Sequence, residues 1–175
     1  MRIIGLAGWS GSGKTTLLTK VIPVLVQRGH TISTVKHAHH QFDTDLPGKD
    51  SHTHRVVGAK EVFISSARRW AQIHEVREDA ELMLPDIFKR LSRVDLVIVE
   101  GYKAHHHPKL EVYRAVVGKP LLYPGDPWIV AIASDAPIAD TELPVIDLDD
   151  VDKVIDVMLV ESMPVERILA AAGAS

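Results

Sequence analysis

Cysteine is absent from the 175 residues, which excludes a disulfide framework and any thiolate metal site and suits a reducing compartment. Long apolar runs are absent too: "VIPVLV" and "DLVIV" fall far short of the ~20 residues needed to cross a bilayer. There is no excess of basic charge, since 20 Lys and Arg stand against 23 Asp and Glu for a net charge of −3, and this argues against a nucleic-acid partner. No internal repeat or low-complexity segment interrupts the chain. The chain opens at Met1 on a strand-like run rather than a basic, apolar and small-residue leader, so the expectation is a cytoplasmic protein with no secretory signal and no membrane partner.

What is present fits an ordinary globule, 46% hydrophobic and 25% charged, and the length predicts a single domain over residues 1–175. "RIIGLAG" reads as a buried strand closed by glycine. In "GKTTLLTKVIPVLVQRG" the residues Leu17, Leu18, Val21, Leu25 and Val26 recur at helical spacing, with Gly29 as the stop and Pro23 as a source of a kink. A strand "TISTVK" follows, then a polar loop "HAHHQFDTDLPGKD" and a short helix from Asp50 to Ala59 capped by Asp50 or Ser51. "KEVFISS" and "RWAQIHEV" read as a strand pair, and a helix is expected between Asp79 and Leu91 with Leu84, Ile87, Phe88 and Leu91 inward despite Pro85. "VDLVIVEG" is the clearest strand. After it come "KLEVYR", "WIVAIAS", "LPVID" and a helix from about Asp149 to Val160, capped by Asp149 or Asp150.

Gly8, Gly13, Lys14 and Thr15 in "GWSGSGKTT" fit the phosphate-loop spacing, with a strand before and a helix after. Glycines let the backbone turn its amides inward toward anionic oxygen, and the positive end of the following helix adds to the attraction. The loop residues Gly8, Trp9, Ser10, Gly11, Ser12, Gly13, Lys14, Thr15 and Thr16 are therefore expected to hold a nucleotide's phosphates. Lys14 would reach the β- and γ-phosphates, and the Thr15 hydroxyl would sit on Mg²⁺. Trp9 would shield the phosphates or stack on a ring. Strands alternating with helices around such a loop predict an α/β, P-loop NTPase-like three-layer fold, with a mainly parallel sheet flanked by helices and made partly mixed by the strand pair. At the end of "DLVIVE", Glu100 is the candidate acidic strand end for the metal, where aspartate is the commoner residue, whereas Asp95 belongs to the opposite edge.

The ordered set "AGWSGSGKTTLLTKVIPVL", "TVKHAHHQFDTDLPGKDS", "VDLVIVEGYK" and "IVAIASD" resembles the molybdopterin-guanine dinucleotide biosynthesis protein B family, MobB. The segment after the second strand is the selective part, and the likeness runs to about Pro137. The resemblance implies a dimeric GTP-binding protein with weak GTPase activity that assists the nucleotidyl-transfer enzyme MobA in attaching a guanine nucleotide to molybdopterin. It implies that Asp45 and Asp50 lie near the γ-phosphate, the attacking water and Mg²⁺, with Lys14 in catalysis, and that Ala133 to Asp135 lie near the base. The N-K-x-D tetrad usual in guanine recognition is missing, and Asp135 alone could supply its carboxylate. GTP over ATP is thus implied by the resemblance rather than by these residues.

Ten histidines invite a metal hypothesis, but a consecutive triplet in an extended segment points its rings in opposite directions. A solvated loop accounts better for "HHH" at 105–107. "VKHAHH" is different, because it follows a strand whose C-terminal end opens on the ligand crevice. Lys36, His37 and His39 there, with Lys103 from "GYKAHHHPK", could face phosphate or a second anionic ligand such as molybdopterin. Arg68, Arg69 and Arg114 are candidates for charge stabilisation or simply soluble strand-end residues. Two alternative functions share the motif: a nickel- or zinc-delivery maturation GTPase and a P-loop small-molecule kinase. A nucleotide held only as signal or cargo is a further alternative.

Overall fold

A computed structural model of the chain describes residues 1–38, 42–102 and 105–173, so the expectations placed on His39 and Lys103 lie outside the described residues. The chain divides into two compact units, one formed by Met1–His37 with Leu84–Ser175 and the other by Ala38–Met83.

The first unit is built on strands β1 (Arg2–Ala7), β2 (Ile32–Lys36), β5 (Leu96–Glu100), β6 (Lys109–Tyr113), β7 (Ile129–Ser134) and β8 (Val145–Asp147), in the spatial order β2-β5-β1-β6-β7-β8. All five neighbouring pairs are parallel. A two-residue strand β9 (Met163–Pro164) runs antiparallel to the start of β1. Helices α1 (Lys14–Gln27) and α4 (Val151–Glu161) cover one face, meeting Ile4 and Leu6 of β1 and Leu96 and Ile98 of β5 through Leu17, Val21, Leu25, Ile155 and Met158. Helices α3 (Leu84–Arg90) and α5 (Glu166–Ala172) lie on the other, where Leu84 and Phe88 join Ile3, Val97 and Val99. The residues Ile3 and Ile4, one apart in β1, thus enter different layers, as the two-residue period of a strand requires. Each such aliphatic side chain contributes roughly 1.5–3 kcal/mol by leaving water. The three-layer α/β architecture is the expected one, and no helix among the described residues is long and apolar enough to cross a membrane.

Pro23 sits inside α1, and Gly29 closes the helix with φ 87. Asp150 caps α4 by accepting from the Lys153 amide at 3.1 Å. Helix α3 begins at Leu84 rather than Asp79, with Pro85 in its first turn, where the missing amide costs no helical hydrogen bond. Asp95 accepts from both the amide and the hydroxyl of Thr31, at 2.8 and 2.6 Å, at the edge of the sheet opposite the phosphate loop.

The second unit contains α2 (Asp50–Val56), β3 (Glu61–Ser65) and β4 (Trp70–His74). Two expectations are corrected here. The strand pair is antiparallel as expected, but it forms a separate two-stranded sheet, and the antiparallel member of the main sheet is β9. The cap position of α2 belongs to Lys49, which makes no side-chain cap, because the turn closed by Lys49 N on Leu46 O starts the helix at Asp50. Arg55, 14% exposed, gathers Asp43, Asp45 and Glu75, each at 2.7 Å.

Candidate functional site

The sheet order reverses at β1, which has β5 on one side and β6 on the other, and the crevice at such a switch point is where open α/β sheets bind ligands. The loop between β1 and α1 occupies it. Gly8, Gly11 and Gly13 have φ values of 142, 82 and 93, conformations that L side chains rarely adopt. Gly8 is also a close approach, since a β-carbon there would stand 2.6 Å from Ser12 Oγ and from Val112 O. The Lys14 ammonium folds back over the loop and donates to Gly8 O at 2.9 Å and Trp9 O at 3.0 Å. Ser12 N closes the turn on Trp9 O. The Ser12 hydroxyl is buried inside this loop without a hydrogen-bond partner among the described residues, as a group waiting for an external acceptor would be.

Trp9 is held from outside the loop: its indole N–H donates to Pro120 O at 2.7 Å, and Lys119 Nζ lies 5.9 Å from its ring centre. Ser10, Gly11, Thr15 and Thr16 are all exposed. Thr15 and Glu100 line a mainly apolar cavity of about 480 Å³ that Leu18, Ile22, Ile98 and Lys36 also line. Thr15 and Glu100 both carry oxygen, from the first turn of a helix and the end of the neighbouring strand, the hard donor type that Mg²⁺ prefers. Register explains the convergence, since Lys36 of β2 pairs with Glu100 of β5, and Glu100 with Leu6 of β1. Past Glu100 the chain turns at Gly101, whose φ of 92 and absent β-carbon admit His37. His37 stacks on Tyr102 at 4.6 Å.

Asp135 follows β7 as expected. Its Oδ1 accepts from Ala115 N at 2.9 Å, and its Oδ2 lies 3.6 Å from Arg114 Nη1. It lines a cavity of about 270 Å³ with Ser134, Ala136 and Asp147. Asp45 and Asp50 belong to the second unit. Asp45 is held by Arg55, which keeps its carboxyl below the usual carboxylate range, and Asp50 is exposed in the first turn of α2. Arg68 and Arg69 are exposed in the hairpin turn between β3 and β4. Among the described residues, no three His, Asp or Glu side chains converge as a metal set.

Sequence reasoning missed a cluster of buried charge behind the phosphate loop. Alternation in "KLEVYR" places Lys109 and Glu111 on a polar face, yet they are 2% and 1% exposed. Lys109 Nζ donates to His105 O at 2.9 Å and to Asp126 Oδ2 at 3.0 Å. Glu111 accepts from Leu122 N at 2.7 Å and Tyr123 N at 2.9 Å, while burial pushes its carboxyl up from its ordinary value. The solvated-loop expectation for the histidine triplet fails at His107, which is fully buried against Gly5, with neither ring nitrogen paired among the described residues. Burial, then the charge of Lys109, pushes the His107 imidazole down to about 4. The one signal for this cluster in the sequence is the density of polar residues in a central strand.

The family model described as "Molybdopterin guanine dinucleotide synthesis protein B" (MobB) matches residues 3–135. A protein of Escherichia coli (strain K12) named "Molybdopterin-guanine dinucleotide biosynthesis adapter protein" is 38% identical over 157 residues, covering 88% of this chain and 89% of that protein. A Haemophilus influenzae protein of the same name is 36% identical over 155 residues, covering 88% and 85%. The solved structure titled "Crystal Structure of molybdopterin-guanine biosynthesis protein B (mobB)" superposes with a TM-score of 0.70 at 29% identity, covering 90% of this chain and 98% of that one.

Proposed function

Because the chain belongs to the molybdopterin guanine dinucleotide synthesis protein B family, we propose that it is a GTP-binding adapter with slow GTPase activity. Its role is accessory, in the biosynthesis of the molybdenum cofactor, and the step it assists is attachment of a guanine nucleotide to molybdopterin by a nucleotidyl-transfer enzyme of the MobA kind. The observation that carries the nucleotide assignment is the loop 8–16, where the Lys14 ammonium folds over the backbone, the Ser12 hydroxyl is buried without a partner among the described residues and helix α1 begins.

In hydrolysis, water attacks the γ-phosphorus and the bond to the β–γ bridging oxygen breaks, leaving GDP and inorganic phosphate. Lys14 draws negative charge from the β- and γ-oxygens as the bond lengthens. Thr15 and Glu100, which line one cavity, would hold Mg²⁺, and the ion would supply positive charge that screens the same oxygens. Assignment of Asp45 and Asp50 to the attacking water and to Mg²⁺, and of Asp135 to the base, rests on the family resemblance, as do GTP over ATP and assembly as a homodimer. Lys36 and His37 add basic and aromatic surface at the strand ends beside Glu100.

Single-turnover hydrolysis of GTP and of ATP, each with and without the nucleotidyl-transfer enzyme, tests this. Preference for GTP, and turnover that responds to the enzyme, are expected. Equal use of ATP with no response to the enzyme would sink the adapter assignment.

A further inference from the structure

The segment 115–128 is fastened to β6 by charges where apolar packing would serve stability equally well. Replacing buried ion pairs by well-packed apolar groups is commonly neutral or stabilising, and here the buried charges tie the segment to β6 at named backbone and side-chain partners. Glu111 takes two consecutive amides, of Leu122 and Tyr123. Lys109 takes Asp126 Oδ2, and Asp126 Oδ1 accepts from Trp128 N at 3.0 Å. A third attachment runs to the phosphate loop through Trp9 and Pro120.

The segment so fixed forms one wall of a cavity of about 550 Å³, lined by Leu122, Asp126 and Trp128 on that side and by Ala7, His105 and His106. Ligand sites commonly measure roughly 300–1,000 Å³ and are mostly apolar with a few placed polar groups. The rings of Trp128 and His106 are stacked, at 13° to each other with centres 5.6 Å apart, so the cavity is bordered by an aromatic pair that fixes one ring face through the other. Ala7 and the nearby Gly125 leave room beside it. The Asp126 carboxylate accepts two hydrogen bonds, leaving about two of its four acceptor positions open. Burial, then Lys109, lowers the His105 imidazole below its ordinary value and so keeps it neutral at pH 7. The Lys109 ammonium already donates to His105 O and Asp126, so the polar end of the cavity favours ring N–H groups over a phosphate chain.

We propose that this cavity is a second ligand site, distinct from the phosphate loop, that takes the flat bicyclic ring of a pterin against Trp128 and His106 with its amino edge on Asp126. The assignment rests on the accessory role above, which makes a pterin the second reactant. Guanine shares the same 2-amino-4-oxo edge, so the test must separate the two.

The test is a fluorescence titration of 6-hydroxymethylpterin, and in parallel of guanosine, into the full chain and into His106→Ala, Trp128→Ala and Lys14→Ala. His106 is exposed, so its truncation leaves the fold intact even if Trp128→Ala does not fold. The pterin should bind saturably, more tightly than guanosine, and about tenfold or more weakly in each aromatic variant. Lys14→Ala should lose GTP and keep the pterin. Absence of saturable pterin binding, an affinity unmoved by His106→Ala, guanosine binding as tight as the pterin, or loss of the pterin in Lys14→Ala would each overturn the site. If the pterin behaves as expected while GTP fails to bind the unaltered chain, the nucleotide assignment falls and the cavity stands; the converse removes the cavity alone.

Discussion

The Arg114 side chain lies against Gly13, its Nε 2.8 Å from the point where a β-carbon on that glycine would stand, and its Nη1 faces Asp135 across 3.6 Å. Gly13 is the residue from which α1 springs, so a guanidinium rests at the positive end of a 14-residue helix beside Lys14. Like signs repel there. The Asp135 carboxylate offsets part of that repulsion, and a bound phosphate chain would offset the rest. Arg114, following β6, thus stands at the phosphate-loop end of α1 with Asp135 beside it, and a role toward nucleotide oxygens is open to test.

Arg114→Ala should weaken triphosphate binding by roughly tenfold, the low end for a charge-assisted hydrogen bond given that Arg114 is part exposed. Arg114→Lys should recover part of the loss. Titration with a fluorescent GTP analogue measures both, and equal affinity in all three proteins removes Arg114 from the site.

In the second unit, Arg55 holds three carboxylates, and of these Asp45 is the most enclosed, with 4% of its side chain exposed. Arg55→Ala leaves that carboxylate without its cation, whereas Asp43→Asn removes only an exposed partner. Hydrogen exchange over residues 42–75 should rise in Arg55→Ala and change little in Asp43→Asn. Matching exchange in the two variants would mean that the cluster does not hold the unit together.

Phe63 and Trp70, 62% and 64% exposed, stack at 5.3 Å on the β3–β4 hairpin, an apolar surface consistent with the homodimer proposed above. Trp70→Ser should lower the dimer fraction in sedimentation velocity while far-ultraviolet dichroism stays constant. A dimer unaffected by the change would move the interface elsewhere.

Much of this architecture is legible in the amino-acid sequence, because short-range rules govern it. Alternating apolar runs give the strands, the 3.6-residue spacing of Leu17, Val21 and Leu25 gives α1, and the glycines with Lys14 give the phosphate loop. Glu100 at the end of β5 is legible for the same reason. What escapes is set by contacts distant in sequence. Two residues, Met163 and Pro164, make a strand only because β1 offers its edge at Arg2 and Ile3. The hairpin strands are visible, but nothing local says that they pair only with each other. Lys109 and Glu111 look solvent-facing until Asp126 and the Leu122 and Tyr123 amides arrive from more than ten residues away. Arg114 is one of three arginines of equal standing until the fold sets it beside Gly13.

His107 supplies a pH-dependent stability component with a definite sign. Its ring packs so closely on Gly5 that a β-carbon there would stand 2.5 Å from Nε2, and it is faced by Lys109 and His105, with Asp126 as the opposing charge. The unfolded chain takes up a proton on this imidazole near its ordinary 6.5, but the folded chain takes it only near 4. Between those values the unfolded state binds more protons, so acidification from pH 6.5 to 4 removes stability, on the order of 3 kcal/mol over the whole window, and above 6.5 the component is constant. Glu111, raised by its burial, acts in the opposite direction and is common to both proteins compared. His107→Leu removes an unpaired buried ring and should equal or exceed the unaltered chain in urea denaturation at pH 7.5. At pH 5 its advantage should widen by roughly 2 kcal/mol, because only the unaltered chain has a proton to refuse. Gly5→Ala should cost about 1–3 kcal/mol by overpacking, and less when combined with His107→Ala, which vacates the space. An advantage of the same size at pH 7.5 and pH 5 would show that the ring is protonated in the folded protein, with a partner to receive it.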